Sequence, residues 1–325
     1  MTLKKLAQLA NVSLAVVSKA FSGRDDVSDA MREHVFSVAR EHGCFQKFYH
    51  ARYDKPVVAV IIPEAISKYY IRYIETLKRD IEENGYTMLL SISNFDQLMT
   101  EELVRYYTEH SKVDGLIIID GRSNPSKDSY TAIVSANPLA QADVGATISF
   151  RHASGTKQCL EYLYSLGHRR IAYVGEELTN YKRKCLLNEA KALGIELCDS
   201  HMYTSRLRFE DAGRDGVKKL FSGKTEAPTA IIGAYGYITQ GVIAELCDMG
   251  LRIPEDVSVI SMDNDPYPVH TSLDVACIPS GIDEICEQAM KYLHERIGTD
   301  NPNAPCLCTI NSTFHVGNTV ADIRS

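Results

Sequence analysis

Thr2-Leu-Lys-Lys-Leu-Ala-Gln-Leu-Ala-Asn-Val-Ser13 runs directly into Leu14-Ala-Val-Val-Ser-Lys-Ala-Phe-Ser22. Apolar residues recur at helical spacing in both halves: Leu3, Leu6, Ala7 and Ala10 in the first, Val17, Ala20 and Phe21 in the second. Asn11-Val12-Ser13 interrupts the period, and Thr2 and Ser13 are hydroxyl residues placed to cap the helices that follow them. After a polar turn, Ser22-Gly23-Arg24-Asp25-Asp26, a third helix is predicted from a Ser28 cap to Gly43, with Met31, Val35, Val38 and Ala39 inward. Two short helices joined by a three-residue break pack at a steep angle. The second then projects its first turn outward, as a DNA major groove requires. Leu14, Ala15, Ser18, Lys19 and Ser22 cannot all face a core. Lys19 offers donors to a guanine edge or a phosphate, and Leu14 and Ala15 can touch a thymine methyl. The hydroxyls of Ser13 and Ser18 suit phosphate oxygens, which fix register. A plain three-helix bundle with solvated polar faces satisfies the same periodicity, so the pattern alone leaves both readings open.

The charge around this stretch is uneven. Residues 1–55 hold nine lysines and arginines against six aspartates and glutamates, whereas the 325-residue chain has a net charge of -7. A basic head on an acidic body fits a polyanion-binding module joined to something else. At 45% hydrophobic and 24% charged, the chain has an ordinary globular composition, and its length suggests two or three compact units. Gln8, Asn11, Ser13 and Lys19 interrupt any apolar core behind Lys4 and Lys5, so neither an export signal nor a membrane span is expected, and the expected compartment is the cytoplasm. Nine scattered cysteines without a C-x-x-C pair read as free thiols; Cys306 and Cys308 alone lie close, with no nearby side chain to complete a metal site.

Beyond the head, Val57-Val-Ala-Val-Ile-Ile-Pro63 is a buried-strand run, and strand and helix patterns then alternate to about residue 297. The predicted helices include 69–84, 98–111, 154–166, 182–193, 209–221, 237–249 and 281–297; the predicted strands include 87–93, 116–120, 171–174, 230–233 and 257–262. Such alternation implies an α/β body of parallel sheets covered by helices, with ligands at the carboxyl ends of strands. No G-x-G-x-x-G or G-x-x-x-x-G-K-[ST] occurs, so no dinucleotide or nucleotide cofactor is expected.

The head resembles the lactose/galactose repressor (LacI/GalR) family, whose pattern there is T-x-x-D-V-A-x-x-A-x-V-S-x-x-T-V-S-R-x-L-N. Two strings in the body, Leu166-Gly-His-Arg-Arg-Ile-Ala-Tyr-Val-Gly175 and Gly250-Leu-Arg-Ile-Pro-Glu-Asp-Val-Ser-Val-Ile-Ser-Met-Asp263, match the same family. The resemblance implies a helix-turn-helix head and hinge over 1–56. It also implies a periplasmic-binding-protein-like core of two doubly wound lobes over 57–325. By the family plan, lobe one takes about 57–151 plus 279–304, and lobe two about 152–278 plus 305–325. The resemblance further implies a homodimer on double-stranded operator DNA, a small-molecule effector between the lobes, and a repressor rather than an enzyme. The implied DNA contacts are Thr2, Ser13, Leu14, Ala15, Ser18, Lys19, Ser22 and, where the family has a minor-groove wedge, Tyr53. Lys19 stands where the family has Arg, and Val16 where it often has Thr; Lys lacks the guanidinium fork, which softens base discrimination.

The same resemblance implies an effector pocket containing Tyr69, Tyr70, Arg122, Arg151, Arg183, Tyr235 and Asp263. Arg151 replaces a customary Asp, and Tyr235-Gly236 a customary Asn-Asp. Arginines in place of acceptors favour phosphate or carboxylate, hence an anionic effector such as a sugar phosphate or sugar acid. A neutral sugar or nucleoside, and a pocket that has lost its ligand, stay open. Two rival functions are weaker. A solute-binding protein leaves residues 1–50 unexplained, and a doubly wound enzyme built on Asp263, Asp265 and His270 has no nucleophile, base and orienter set.

Overall fold

The computed structural model describes residues 1–22, 27–48, 55–121, 129–137, 144–223, 226–264, 273–299 and 301–324. The chain divides into two compact units, Met1–Pro56 and Val57–Ser325.

In the first unit, α1 (Leu3–Leu9), α2 (Leu14–Ser22) and α3 (Asp29–Glu41) follow one another, with a single turn, α4 (Phe45–Phe48), after them. The hydroxyl oxygens of Thr2, Ser13 and Ser28 accept hydrogen bonds from the amides of Lys5, Val16 and Met31. Each satisfies an amide that the first helical turn leaves unpaired. Leu6, Ala7, Ala10, Val17, Ala20, Val35 and Ala39 form the core. Met31, expected inward, is 37% exposed. Phe36 fills the inward face of α3 instead, because its ring packs 5.0 Å from Phe21 and 5.2 Å from Phe45.

The second unit holds two parallel sheets. The first takes β1 (Val57–Ile62), β2 (Thr87–Ile92), β3 (Gly115–Ile119), β4 (Ala132–Ala136) and β5 (Ala146–Arg151), with α5 (Lys68–Glu83) and α6 (Gln97–Arg105) between them. The second lobe takes α7 (Ala153–Ser165), β6 (Ile171–Glu176), α8 (Asn180–Ala192), β7 (Met202–Ser205), α9 (Phe209–Leu220), β8 (Ala230–Gly233), α10 (Gly236–Asp248), β9 (Ser258–Asn264) and β10 (Ala276–Pro279). The chain then returns to lobe one with α11 (Ile282–Arg296) and β11 (Cys306–Asn311). The strand orders are β11-β5-β4-β3-β1-β2 and β10-β9-β8-β6-β7. Strands buried on both faces, such as Val58–Ile62 and Gly115–Ile119, are continuous apolar runs, as parallel sheets between helices require.

β11 corrects the expected lobe boundary. It pairs in parallel with β5, from Cys306 against Ala146 to Asn311 against Arg151, so residues 306–311 belong to lobe one rather than lobe two. The chain crosses between lobes near 152, 280 and 312. Past the last crossing, Cys277 and His315 form an antiparallel bridge, and the Thr319 hydroxyl donates to the Val259 carbonyl.

Close approach through glycines fixes α9 against α10. A methyl group on Gly241 would lie 2.0 Å from the Glu210 carbonyl oxygen, and one on Gly213 would lie 2.1 Å from that of Ile238. All nine cysteines are free thiols. Among the described residues, no helix is long and apolar enough to cross a membrane.

Candidate nucleic-acid interface and interlobe cleft

On α2, Val17 and Ala20 are buried, whereas Leu14, Ala15 and Ser18 are exposed and Lys19 is half-buried. The outward residues lie one helical turn apart and share a face. Leu14 is 49% exposed, an apolar side chain with no partner in the head's own core. Thr2 and Ser13 use lone pairs for capping, which leaves each hydroxyl hydrogen available for a phosphate oxygen. The Ser22 side chain and Tyr53 lie outside the described residues.

In the second unit, the strand carboxyl ends converge on a cavity of about 520 Å³. Glu64 follows β1, Asp120 follows β3, Asn137 follows β4, Glu176 ends β6 and Asp263 lies in β9; all five line the cavity. Helix amino ends add Lys68, Tyr69 and Tyr70 from α5, Tyr181 and Lys182 from α8, Arg208 and Phe209 from α9, and Tyr235 and Gly236 from α10. Partial positive charge at these helix ends favours the carboxylates gathered there.

Of the pocket residues inferred from sequence, Tyr69, Tyr70, Tyr235 and Asp263 line this cavity, whereas Arg151 and Arg183 do not. Arg151 is exposed at the end of β5, and its carbonyl accepts hydrogen bonds from the amide and hydroxyl of Ser312. On α8 it is Lys182 that faces the cavity; Arg183 is rotated by one residue, about 100° on an α-helix. Arg122, Asp265 and His270 lie outside the described residues.

The sequence reading missed Lys182, Arg208, Glu64, Glu176, Asp120 and His152. The Lys182 ammonium is 4% exposed; it donates to the Ala234 carbonyl at 2.9 Å and contacts the Asp263 carboxylate. Arg208 donates through both terminal nitrogens to the two carboxylate oxygens of Glu64, at 3.0 and 3.2 Å. The Tyr235 hydroxyl donates to Glu176 at 2.8 Å. Asp120 accepts from the Tyr70 hydroxyl at 2.7 Å. Burial pushes its carboxyl up to about 6, against the opposing pull of the Tyr70 hydrogen bond and the Lys182 charge. Burial likewise raises Glu176 and lowers His152, which favours a neutral imidazole. Among the described residues, no cluster of His, Cys, Asp and Glu could hold a metal.

Five buried atoms of residues lining this cavity have no hydrogen-bond partner among the described residues: Ser67 Oγ, Asp263 Oδ1, His152 Nδ1, Glu176 Oε2 and Arg208 Nε. The last four form two couples. Arg208 Nε lies 3.5 Å from Glu176 Oε2, and His152 Nδ1 lies 3.6 Å from Asp263 Oδ1. Unpaired buried polar atoms are costly, so each couple is a place where a ligand group can complete the bonding.

Comparison with known proteins agrees with both halves of this description. The family described as "Bacterial regulatory proteins, lacI family" matches residues 2–44, and "Periplasmic binding protein-like domain" matches residues 160–320. The chain is 25% identical over 275 residues to the HTH-type transcriptional repressor CytR of Escherichia coli (strain K12), covering 81% of this chain and 80% of that protein. It is 26% identical over 323 residues to the Ribose operon repressor of Haemophilus influenzae, covering 93% of each. Among solved structures, the lac repressor dimer bound to operator and the anti-inducer ONPF aligns with a TM-score of 0.69 at 17% identity, over 99% of each chain. A helix-turn-helix head, two parallel-sheet lobes joined by three crossings, and relatives spanning most of the chain lead to one assignment: the protein belongs to the lacI family of bacterial regulatory proteins.

Proposed function

We propose that this protein is a cytoplasmic transcription repressor that binds operator DNA as a homodimer and is controlled by an uncharged, hydroxyl-bearing ligand in the interlobe cleft. The observation that carries DNA binding is the α2 face: Leu14, Ala15 and Ser18 point outward on a helix whose other side is locked into the head core. Selection of genomic fragments by the full-length protein, followed by affinity measurement at rising salt, tests this. Preference for selected over random DNA and a steep salt dependence are expected. Equal affinity for both, or a flat salt response, overturns it.

A second copy has apolar surface to cover. Leu89, Leu90 and Ile92 on the edge strand β2 are each 41% exposed, and Leu98 on the following helix is 71% exposed. Uncovered apolar groups at a sheet edge invite association.

The expected anionic effector rested on Arg122, Arg151 and Arg183. Two of these are absent from the cavity lining, and the lining cations Lys182 and Arg208 already hold Asp263, Glu64 and Glu176. Each unpaired couple presents one acceptor, a carboxylate oxygen, beside one nitrogen. A hydroxyl donates to the carboxylate oxygen and accepts from the Arg208 Nε–H, or from His152 in its Nδ1–H tautomer, whereas a phosphate dianion only accepts. Aromatic rings from lobe one (Tyr69, Phe150) and lobe two (Tyr181, Tyr237) supply the flat walls on which a ring compound packs. A thermal-shift series of sugars and nucleosides, each beside its phosphate, tests this: the uncharged members should raise the Tm. Stabilisation by phosphates alone overturns the ligand class. The absence of any shift favours a second reading, an unliganded cleft, which the internal pairing of its cations also supports.

A further inference from the structure

Glu64 and Arg208 belong to different lobes. Glu64 follows the first strand of lobe one; Arg208 is the residue before α9 in lobe two. They meet in a two-pronged bond at 3.0 and 3.2 Å, and the Glu64 side chain is only 8% exposed. The guanidinium is also flanked from both sides. Its carbon lies 5.9 Å from the Phe95 ring, which follows β2 in lobe one, and 4.5 Å from the Phe209 ring in lobe two. The same arginine reaches Glu176 in lobe two, whose carboxylate is 4% exposed and holds the Tyr235 hydroxyl.

We propose that the Glu64–Arg208–Glu176 bridge is a latch that holds the lobes together without ligand and sets how readily the cleft opens. This inference rests on the cleft being the regulatory site proposed above. Separating the lobes leaves Glu64 without its fork, because among the described residues its only hydrogen-bond donor is Arg208. The geometry is specific to arginine: lysine reaches one oxygen, not two. The Arg208 Nε–Glu176 Oε2 contact, at 3.5 Å, is an ion pair in which neither atom has a hydrogen-bond partner among the described residues. A ligand hydroxyl seated there completes the bonding of the latch itself, which makes Arg208 a positioning residue for lobe closure.

Hydrogen exchange of the full-length protein, read over residues 63–70 and 205–212, tests the latch without any ligand. Arg208→Met and Glu64→Gln should each speed exchange on both sides of the cleft, on the order of tenfold for a lost charge-assisted fork. The double variant should be no faster than Arg208→Met alone, because that substitution already removes the fork that Glu64→Gln breaks. Arg208→Lys should fall between wild type and Arg208→Met. Rising salt should accelerate exchange in wild type and leave Glu64→Gln unchanged, a readout that survives if Arg208→Met fails to fold. The latch is overturned if Glu64→Gln leaves 205–212 at the wild-type rate, or if the two effects simply add. Operator and random DNA affinity measured on the same samples separates this from failure of the regulator reading, which shows as lost discrimination whatever the exchange result.

Discussion

Lys182 and Asp263 form the most deeply buried ion pair in the cleft, at 4% and 5% side-chain exposure. Replacing Lys182 with Met keeps the aliphatic stem and removes the charge. Asp263 then remains buried; among the described residues its Oδ1 has no hydrogen-bond partner, and His152 Nδ1 lies 3.6 Å from it. Removing one member of a buried pair typically costs about 3–5 kcal/mol. Lys182→Met should therefore lose about 3–5 kcal/mol of core stability at pH 7. Lys182→Met with Asp263→Asn should recover about half of the loss, because no unpaired charge remains. Urea unfolding followed by tyrosine fluorescence reads this in the right unit: the chain has no tryptophan, and all but two of its 18 tyrosines lie beyond Pro56. A loss below about 1 kcal/mol, or a double variant as unstable as the single one, refutes the reasoning.

Asp120, with its carboxyl pushed up to about 6, makes the stability of the wild-type core fall as pH rises. A raised carboxyl pKa makes this group favour folding most near pH 4, and that contribution is lost as pH rises through 6. Asp120→Asn should flatten the window from pH 4 to 6 and stabilise the core by about 1–3 kcal/mol at pH 7–8. The Tyr70 hydroxyl can still donate to Asn, and the φ of 53° at this position suits Asn well. Lys19→Ala should weaken selected DNA by roughly 1–3 kcal/mol if Lys19 reads a base, whereas an equal loss on random DNA makes it a phosphate contact. Gly241→Ala places a methyl group 2.0 Å from the Glu210 carbonyl and should cost about 1–3 kcal/mol in thermal unfolding of the core, with DNA affinity unchanged.

The head was legible because its signals are local. Thr2, Ser13 and Ser28 each cap a helix through an amide three residues away, a distance that sequence spacing reads directly. Met31 was misplaced because a contact from outside the helix, the Phe21–Phe36–Phe45 cluster, decided which side of α3 turns inward. Among strands, the continuous apolar runs were visible and the edges were not. β11, with alternating exposure and two cysteines, carries no run that distinguishes it from a loop, and only its pairing with β5 assigns it to lobe one. The helix carrying Lys182 was found; which of its neighbouring cations faces the cavity was not. One residue of helical rotation separates Arg183 from the position that matters.

The charge of the cleft shows why residue types alone mislead there. Arginines near a pocket read as a demand for an anion, but that inference assumes their forks are vacant. Arg208 is committed to Glu64, 144 residues away, and Lys182 to Asp263, 81 residues away; neither pairing leaves a local trace in the sequence. What a committed ion offers a ligand is the remainder of its bonding capacity. For Arg208 that remainder is one Nε–H facing a carboxylate oxygen that also lacks a partner. A full phosphate charge brought to that point would gain one donor while meeting Glu176 and Glu64 at close range. A hydroxyl meets both atoms of the couple with matching polarity. Discrimination between a sugar and its phosphate therefore depends less on how many cations line the cleft than on whether Glu64 and Glu176 keep their hold on this one.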